Sequence, residues 1–253
     1  MVPGRSIEVL ADKAAITRAA AAVVSARAAS AVAARGAFTL ALSGGSTPKD
    51  LYRLLADPNE PFRARLPWDK THFFFGDERH VPPDHADSNY RMAREAMLDS
   101  VPVPSANVHR VLAENPDAGA AAVQYEETLR AFFPPASGEP PRFDLILLGL
   151  GPEGHTASLF PGSPALHETE RWVLAPWVEK FATHRITFTP PVLNRAAAVL
   201  FLVAGEDKAE AAQAVLDENG DVDLYPARVV RPLEGDLLWL LDRAAAKDLS
   251  ANV

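Results

Sequence analysis

Short apolar runs alternate along the chain with longer stretches in which apolar residues recur every three or four positions. The runs at 6–10, 38–42, 71–75, 143–148, 171–175, 185–189 and 198–204 predict strands, and the helical spacing predicts helices over 12–35, 47–56, 88–100, 116–133, 191–195 and 206–217. Strands that alternate with helices predict an α/β fold. Leu145-Ile146-Leu147-Leu148 and Phe73-Phe74-Phe75 are apolar at consecutive positions, as central strands covered on both faces would be. The expectation is a three-layer, mostly parallel sheet with helices on both faces. The proline-rich stretch 132–142 reads as an exposed connection within one domain spanning 1–253, because no shift in composition crosses it. The alanine-rich stretch 19–34 reads as one packed helix, alanine being the best helix former.

Composition narrows the partners. With 253 residues, 48% hydrophobic and 23% charged, the chain is that of an ordinary globular protein able to bury a large core. It has no cysteine, which excludes disulfides and thiolate chemistry and fits a reducing compartment, so the cytoplasm is expected. Glu8, Asp12, Lys13 and Arg18 interrupt any leader-like apolar core, and no later stretch reads as apolar for about 18 residues. Neither export nor membrane insertion is predicted. The net charge of -8, with no basic run to offset it, argues against nucleic acid. An anionic substrate would have to meet local arginines and backbone N–H groups.

In open α/β sheets, ligands bind beyond the carboxyl ends of strands, and three such places carry chemistry. After 38–42 comes Ser43-Gly44-Gly45-Ser46-Thr47-Pro48. Thr47 reads as the N-cap of the next helix, with Pro48 in its first turn and Asp50 closing a capping box. Glycines ahead of a helix start form a cradle for phosphate or an oxyanion. After 71–75 comes Gly76-Asp77-Glu78-Arg79, and later Ser88-Asn89-Tyr90-Arg91. There Arg79 and Arg91 are candidates to clamp a phosphate, and Asp77 to orient a hydroxyl or side chain; a surface cluster of ion pairs is the plainer alternative.

The third strand end runs through Gly149-Leu150-Gly151-Pro152-Glu153-Gly154-His155 to Pro161-Gly162. Its glycines fit G-x-G-x-x-G, but Pro161 leaves room for only about two helical turns, too few for a dinucleotide-binding unit. Glu153 and His155, two residues apart on a glycine-walled loop, suit acid–base work, and His155 is the candidate base. The other histidines, His72, His80, His85, His109, His167 and His184, are expected at the surface or at caps. Neither a G-x-S-x-G elbow nor an H-E-x-x-H spacing is present, which leaves water as the nucleophile.

Taken together, Leu42 through Pro48, Phe75 through Arg79 with Val81-Pro82 and Ser88-Asn89-Tyr90, and Gly154-His155-Thr156-Ala157-Ser158-Leu159-Phe160-Pro161-Gly162 resemble the 6-phosphogluconolactonase family. The likeness extends to at least Gly205-Glu206-Asp207-Lys208. The resemblance implies a Rossmann-like α/β/α fold, hydrolysis of a sugar-phosphate lactone in the pentose phosphate pathway without metal or redox cofactor, and His155 as base. It makes Ser43, Gly44, Gly45, Ser46 and Thr47 the wall around the sugar, and places Arg79, Arg91 and Arg185 toward phosphate or carboxylate. Glu153 stands where many relatives carry aspartate. The quaternary expectation is a monomer or weak homo-oligomer. An amino-sugar-phosphate isomerase or deaminase would share the fold, but Arg79 after Asp77-Glu78 and the segment after His155 are lactonase-like. A sugar-phosphate sensor would keep the cradle and lose the base.

Overall fold

The computed structural model describes residues 4–133, 138–217 and 220–249; residues 134–137 of the proline-rich connection lie outside them. β1 (Arg5–Leu10) leads into α1 (Lys13–Arg35), β2 (Phe38–Leu42), α2 (Ser46–Ala56), α3 (Pro61–Arg65), β3 (Thr71–Phe75), β4 (Asp77–Arg79), α4 (Asn89–Ala96), α5 (Ala118–Phe132) and β5 (Leu145–Gly149). The chain continues with β6 (Val173–Leu174), β7 (Trp177–Val178), β8 (Thr183–Phe188), α6 (Pro190–Arg195), β9 (Ala198–Val203), α7 (Ala209–Leu216) and β10 (Asp236–Asp242).

Six of these strands form one parallel sheet in the order β1-β10-β9-β5-β2-β3. From β2 the chain steps outward to β3, then returns to the other side of β2 with β5. The strand order therefore reverses between β2 and β5, and the loops leaving their carboxyl ends part there and open a crevice. Every residue of β2 and β9 is buried, as the unbroken apolar runs required.

Helices cover both faces. Phe73 of β3 stacks on Trp68, beyond α3, whereas its neighbour Phe74 points the other way and meets Phe132 at the end of α5. Asp12 caps α1, accepting from the Ala15 N–H at 2.8 Å, and Gly36 at φ 81° closes it. Ile16, Ala20, Val24, Ala28 and Ala31 bury one stripe of α1, which packs along β2, β9 and β10. By length and composition alone α1 would suffice to cross a membrane, contrary to the sequence reading; its buried stripe is spent on the sheet.

A second, antiparallel sheet stands at the rim of the first. β8 lies between β4 and β6 and also pairs with β7. Gly76 hinges the two sheets, donating to Leu42 O at 2.9 Å and accepting from Phe188 N at 2.8 Å. The buried Glu126 of α5 fixes this ribbon from behind: one carboxylate oxygen accepts from Trp172 N at 3.0 Å, Val173 N at 3.2 Å and Arg171 Nε at 2.9 Å.

Besides α3, β4 and β7, which no run or spacing predicted, three features depart from expectation. β10 was not foreseen, although Leu237-Leu238-Trp239-Leu240-Leu241 is an apolar run of strand length. α2 begins one residue early: Gly45, at φ 105°, is its N-cap, and no side chain caps it, so the Thr47 cap and the capping box do not form. His72 and His109 are not capping residues but stack within the aromatic cluster of Phe74 and Phe132.

Candidate active site

The crevice at the strand reversal is a cleft of about 270 Å³, lined by Ser43 through Pro48, Asp77, Arg79, Gly149 through Pro152, His155 through Ala157, Leu202, Ala204 and Lys208. All three predicted strand ends contribute to it, together with the end of β9.

The first wall is built on Tyr52, whose hydroxyl accepts from Ser43 N at 2.9 Å and donates to Ser43 O at 2.8 Å, pinning the turn after β2. Gly44 lies against Asn89, and a Cβ there would come within 2.1 Å of Asn89 Oδ1. That oxygen is buried and has no hydrogen-bond partner among the described residues. Gly45 then turns the chain into α2, whose uncapped N-terminus presents its amides and the positive end of its dipole.

The second wall is β4. Asp77 is buried and held on both sides: Oδ2 accepts from Ser158 Oγ at 2.7 Å and Oδ1 from Asn89 Nδ2 at 3.3 Å. Glu78 is 2% exposed. It caps α4, taking the Asn89 N–H at 2.7 Å, the Tyr90 N–H at 2.8 Å, its own neighbour Arg79 N at 2.8 Å and Ser88 Oγ at 3.1 Å. Burial pushes its carboxyl above the ordinary range, against these bonds. Arg79 and Arg185 face each other in the β4–β8 register, and the Nε of each is buried without a partner among the described residues. Burial, then the Arg79 charge, lowers the Arg185 guanidinium. Arg79 lines the cleft and Arg185 stands behind it, outside the lining, so the pair presents positive charge to an anion at the β4 edge.

Arg91 does not join them. It sits on the outer side of α4, bonded to Glu95 at 2.6 Å and to Asp84 O at 2.9 Å, and lies outside the cleft lining. Its predicted role as a clamp is corrected: the i,i+4 pair with Glu95 satisfies it where it stands.

The third wall is the loop after β5. No helix follows Gly154 before Pro161, in keeping with rejection of the dinucleotide motif. The loop folds on itself: Gly151 N donates to His155 O at 2.8 Å and Gly154 N to Gly151 O at 2.9 Å. Gly151 leaves room for the imidazole, since a Cβ there would lie 1.9 Å from His155 Nδ1. Phe160 stacks on that ring, with centroids 4.2 Å apart. Burial lowers the pKa of His155, with Glu153 and Asp77 pulling the other way and Lys180 reinforcing the drop. That direction favours the neutral ring, the form able to accept a proton. Glu153 Oε2 lies 3.1 Å from His155 Nδ1, yet the two atoms are out of line for a hydrogen bond, and neither has another partner among the described residues. Burial raises the Glu153 carboxyl, but the Lys180 hydrogen bond and the His155 contact outweigh it and bring it to about 2.

The residues 11–239 match the family model described as glucosamine-6-phosphate isomerases/6-phosphogluconolactonase. The chain belongs to this family. A 6-phosphogluconolactonase of Nostoc sp. is 44% identical over 97% of the chain and 99% of its own length, and one of Synechocystis sp. is 46% identical over 96% and 98%. Among solved structures, the 6-phosphogluconolactonase from Trypanosoma cruzi superposes with a TM-score of 0.84 at 31% identity, covering 99% of both chains. A monomeric glucosamine-6-phosphate deaminase shares the fold, at a TM-score of 0.79 and 20% identity.

Within this family fold the sequence reading missed four contributors. Asn89 and Ser158 brace Asp77. Lys180, from the turn after β7, grips Glu153 at 2.6 Å. Lys208 enters the cleft from the end of β9 beside Asp207. Only Lys208 had a positional signal, as the cation that follows a fourth parallel strand end; two acids ahead of it hid its sign. Among the described residues, no group of three or more His, Asp or Glu side chains is placed to hold a metal ion.

Proposed function

We propose that this chain is a 6-phosphogluconolactonase that hydrolyses 6-phospho-D-glucono-1,5-lactone to 6-phosphogluconate, with His155 as general base and no metal or redox cofactor. The observation that carries the reading is a half-buried imidazole at the strand reversal, in one cleft with an uncapped helix start and the cations Arg79 and Lys208. Lys208, Arg79 and Arg185 hold the phosphate end, and the turn Ser43 to Thr47 walls the sugar at its lactone end. His155 takes a proton from water as the water oxygen attacks the lactone carbonyl. The Gly151 and Gly154 amides are spent inside their own loop, so the developing oxyanion falls to the Gly44-Gly45 turn. The C1–O5 bond then breaks, and the imidazolium returns its proton to the leaving ring oxygen. Asp77, braced by Ser158 and Asn89, orients the substrate. The enzyme acts in the cytoplasm as a monomer or weak homo-oligomer.

The test generates the lactone in place from glucose 6-phosphate and follows 6-phosphogluconate above the spontaneous background. General-base help supplies about 100- to 10,000-fold, so His155→Ala is expected to lose turnover on that order with little change in substrate binding. A variant that keeps wild-type turnover removes the histidine from the mechanism. Consumption of glucosamine 6-phosphate in place of the lactone overturns the reaction assigned.

A further inference from the structure

The turn Glu179–Phe181 carries more than its exposure suggests. It ends on Ala182 at φ 46°, a left-handed conformation that a residue with a Cβ adopts at a cost. Phe181 meets the edge of Phe160, at 5.8 Å and 74°, and Phe160 in turn stacks on His155. Arg185 lies over the Phe181 ring at 4.9 Å. The turn is thereby packed onto the ring that covers the base. From it Lys180 reaches Oε1 of Glu153 at 2.6 Å, while Oε2 of the same carboxylate rests 3.1 Å from His155 Nδ1 without alignment.

We propose that Lys180 is a positioning residue for the base: by holding Glu153 through one oxygen, it keeps the other beside Nδ1 of His155 but short of a hydrogen bond, so that the imidazole stays a neutral acceptor. A carboxylate free to swing into line with Nδ1 would stabilise the imidazolium and leave the base protonated over a wider pH range. One free to swing away would leave a buried Nδ1–H with no anion near it. The tether sets the compromise. The charged groups bearing on the imidazole are Glu153 on its own loop, Asp77 at the start of β4, Lys180 on the turn, and Arg79 and Lys208 in the same cleft; Phe160, the ring stacked on it, is uncharged.

The inference rests on His155 being the base, and its test separates the two. The imidazole of His155 is titrated by NMR in the full chain, beside the pH profile of kcat/KM for the lactone. In Lys180→Met, the imidazole midpoint and the acid limb of the profile are expected to rise together by on the order of one pH unit, with the alkaline plateau and KM within twofold of wild type. Lys180→Arg restores the original midpoint. On a Glu153→Gln background the Lys180→Met change is expected to move the midpoint little, because the tethered group is gone. A midpoint unmoved in Lys180→Met overturns the proposal, as does a full shift on the Gln background, which would make Lys180 a remote charge only. A several-fold rise in KM with an unmoved limb would make it a substrate contact instead. Loss of lactonase activity in wild type with the NMR shifts intact would sink the assigned reaction and leave the tether standing.

Discussion

At the scale of single residues, the cleft depends as much on missing atoms as on present ones. Gly151 is not among the glycines at positive φ, so its backbone accepts alanine; what does not accept it is the imidazole, 1.9 Å from the new Cβ. Gly151→Ala is therefore expected to keep its melting temperature within a few degrees and lose turnover by roughly 100-fold, the usual cost of displacing a catalytic group by about 1 Å. Thermal unfolding beside a lactone assay checks both halves. The placement of His155, Asp77 and Arg79 at the crevice was legible in the sequence because each follows a buried strand; Glu153 stands beside His155 outside the lining. Arg91 was misread for a reason of helix geometry. It lies two residues inside α4, and which side of a helix a residue faces depends on where that helix sits, which its own sequence does not record. Lys180 and Asn89 gave no local sign, since their partners are 27 and 12 residues away.

At the scale of elements, the strands and helices that bury apolar faces were readable, and those held by polar bonds were not. β4 is Asp-Glu-Arg, with no apolar pattern; it is a strand because β8 pairs with it and because Glu78 is saturated by four donors. Glu78→Gln turns one acceptor oxygen into an NH₂ that must face an N–H donor. The expected cost is about 1–3 kcal/mol, read by urea unfolding, with α4 and the Asp77 side of the cleft loosened together. Unchanged stability would mean that the donors find other partners. The start of α2 was misplaced by one residue because Gly45, with its φ of 105°, lets the helix begin before a side-chain cap is needed. The consequence favours binding: a helix start with no internal cap keeps its amides for a ligand.

At the scale of the whole molecule, the pH response of stability should follow the histidines inside the aromatic cluster. Burial, then the neighbouring His72, lowers His109 to about 4. Below about 6.5 the unfolded chain binds a proton at this position that the folded chain refuses. Stability is therefore expected to fall as pH drops from 6.5 toward 4 and to stop responding to this group below that. His109→Phe, which keeps a ring against Phe74, should flatten that part of the curve, as urea unfolding at pH 7.5 and 5 would read; an identical acid loss would place the sensitivity elsewhere. The parallel sheet itself carries a consequence in time. β1 stands at the sheet edge and, among the described residues, pairs only with β10, Arg5 beside Leu237. β1 thus waits for a strand made long after it before it has a neighbour, and pairings of such long span form slowly. Until then its backbone is an open edge, and the interval of synthesis between the two strands is when this chain is most exposed to wrong partners.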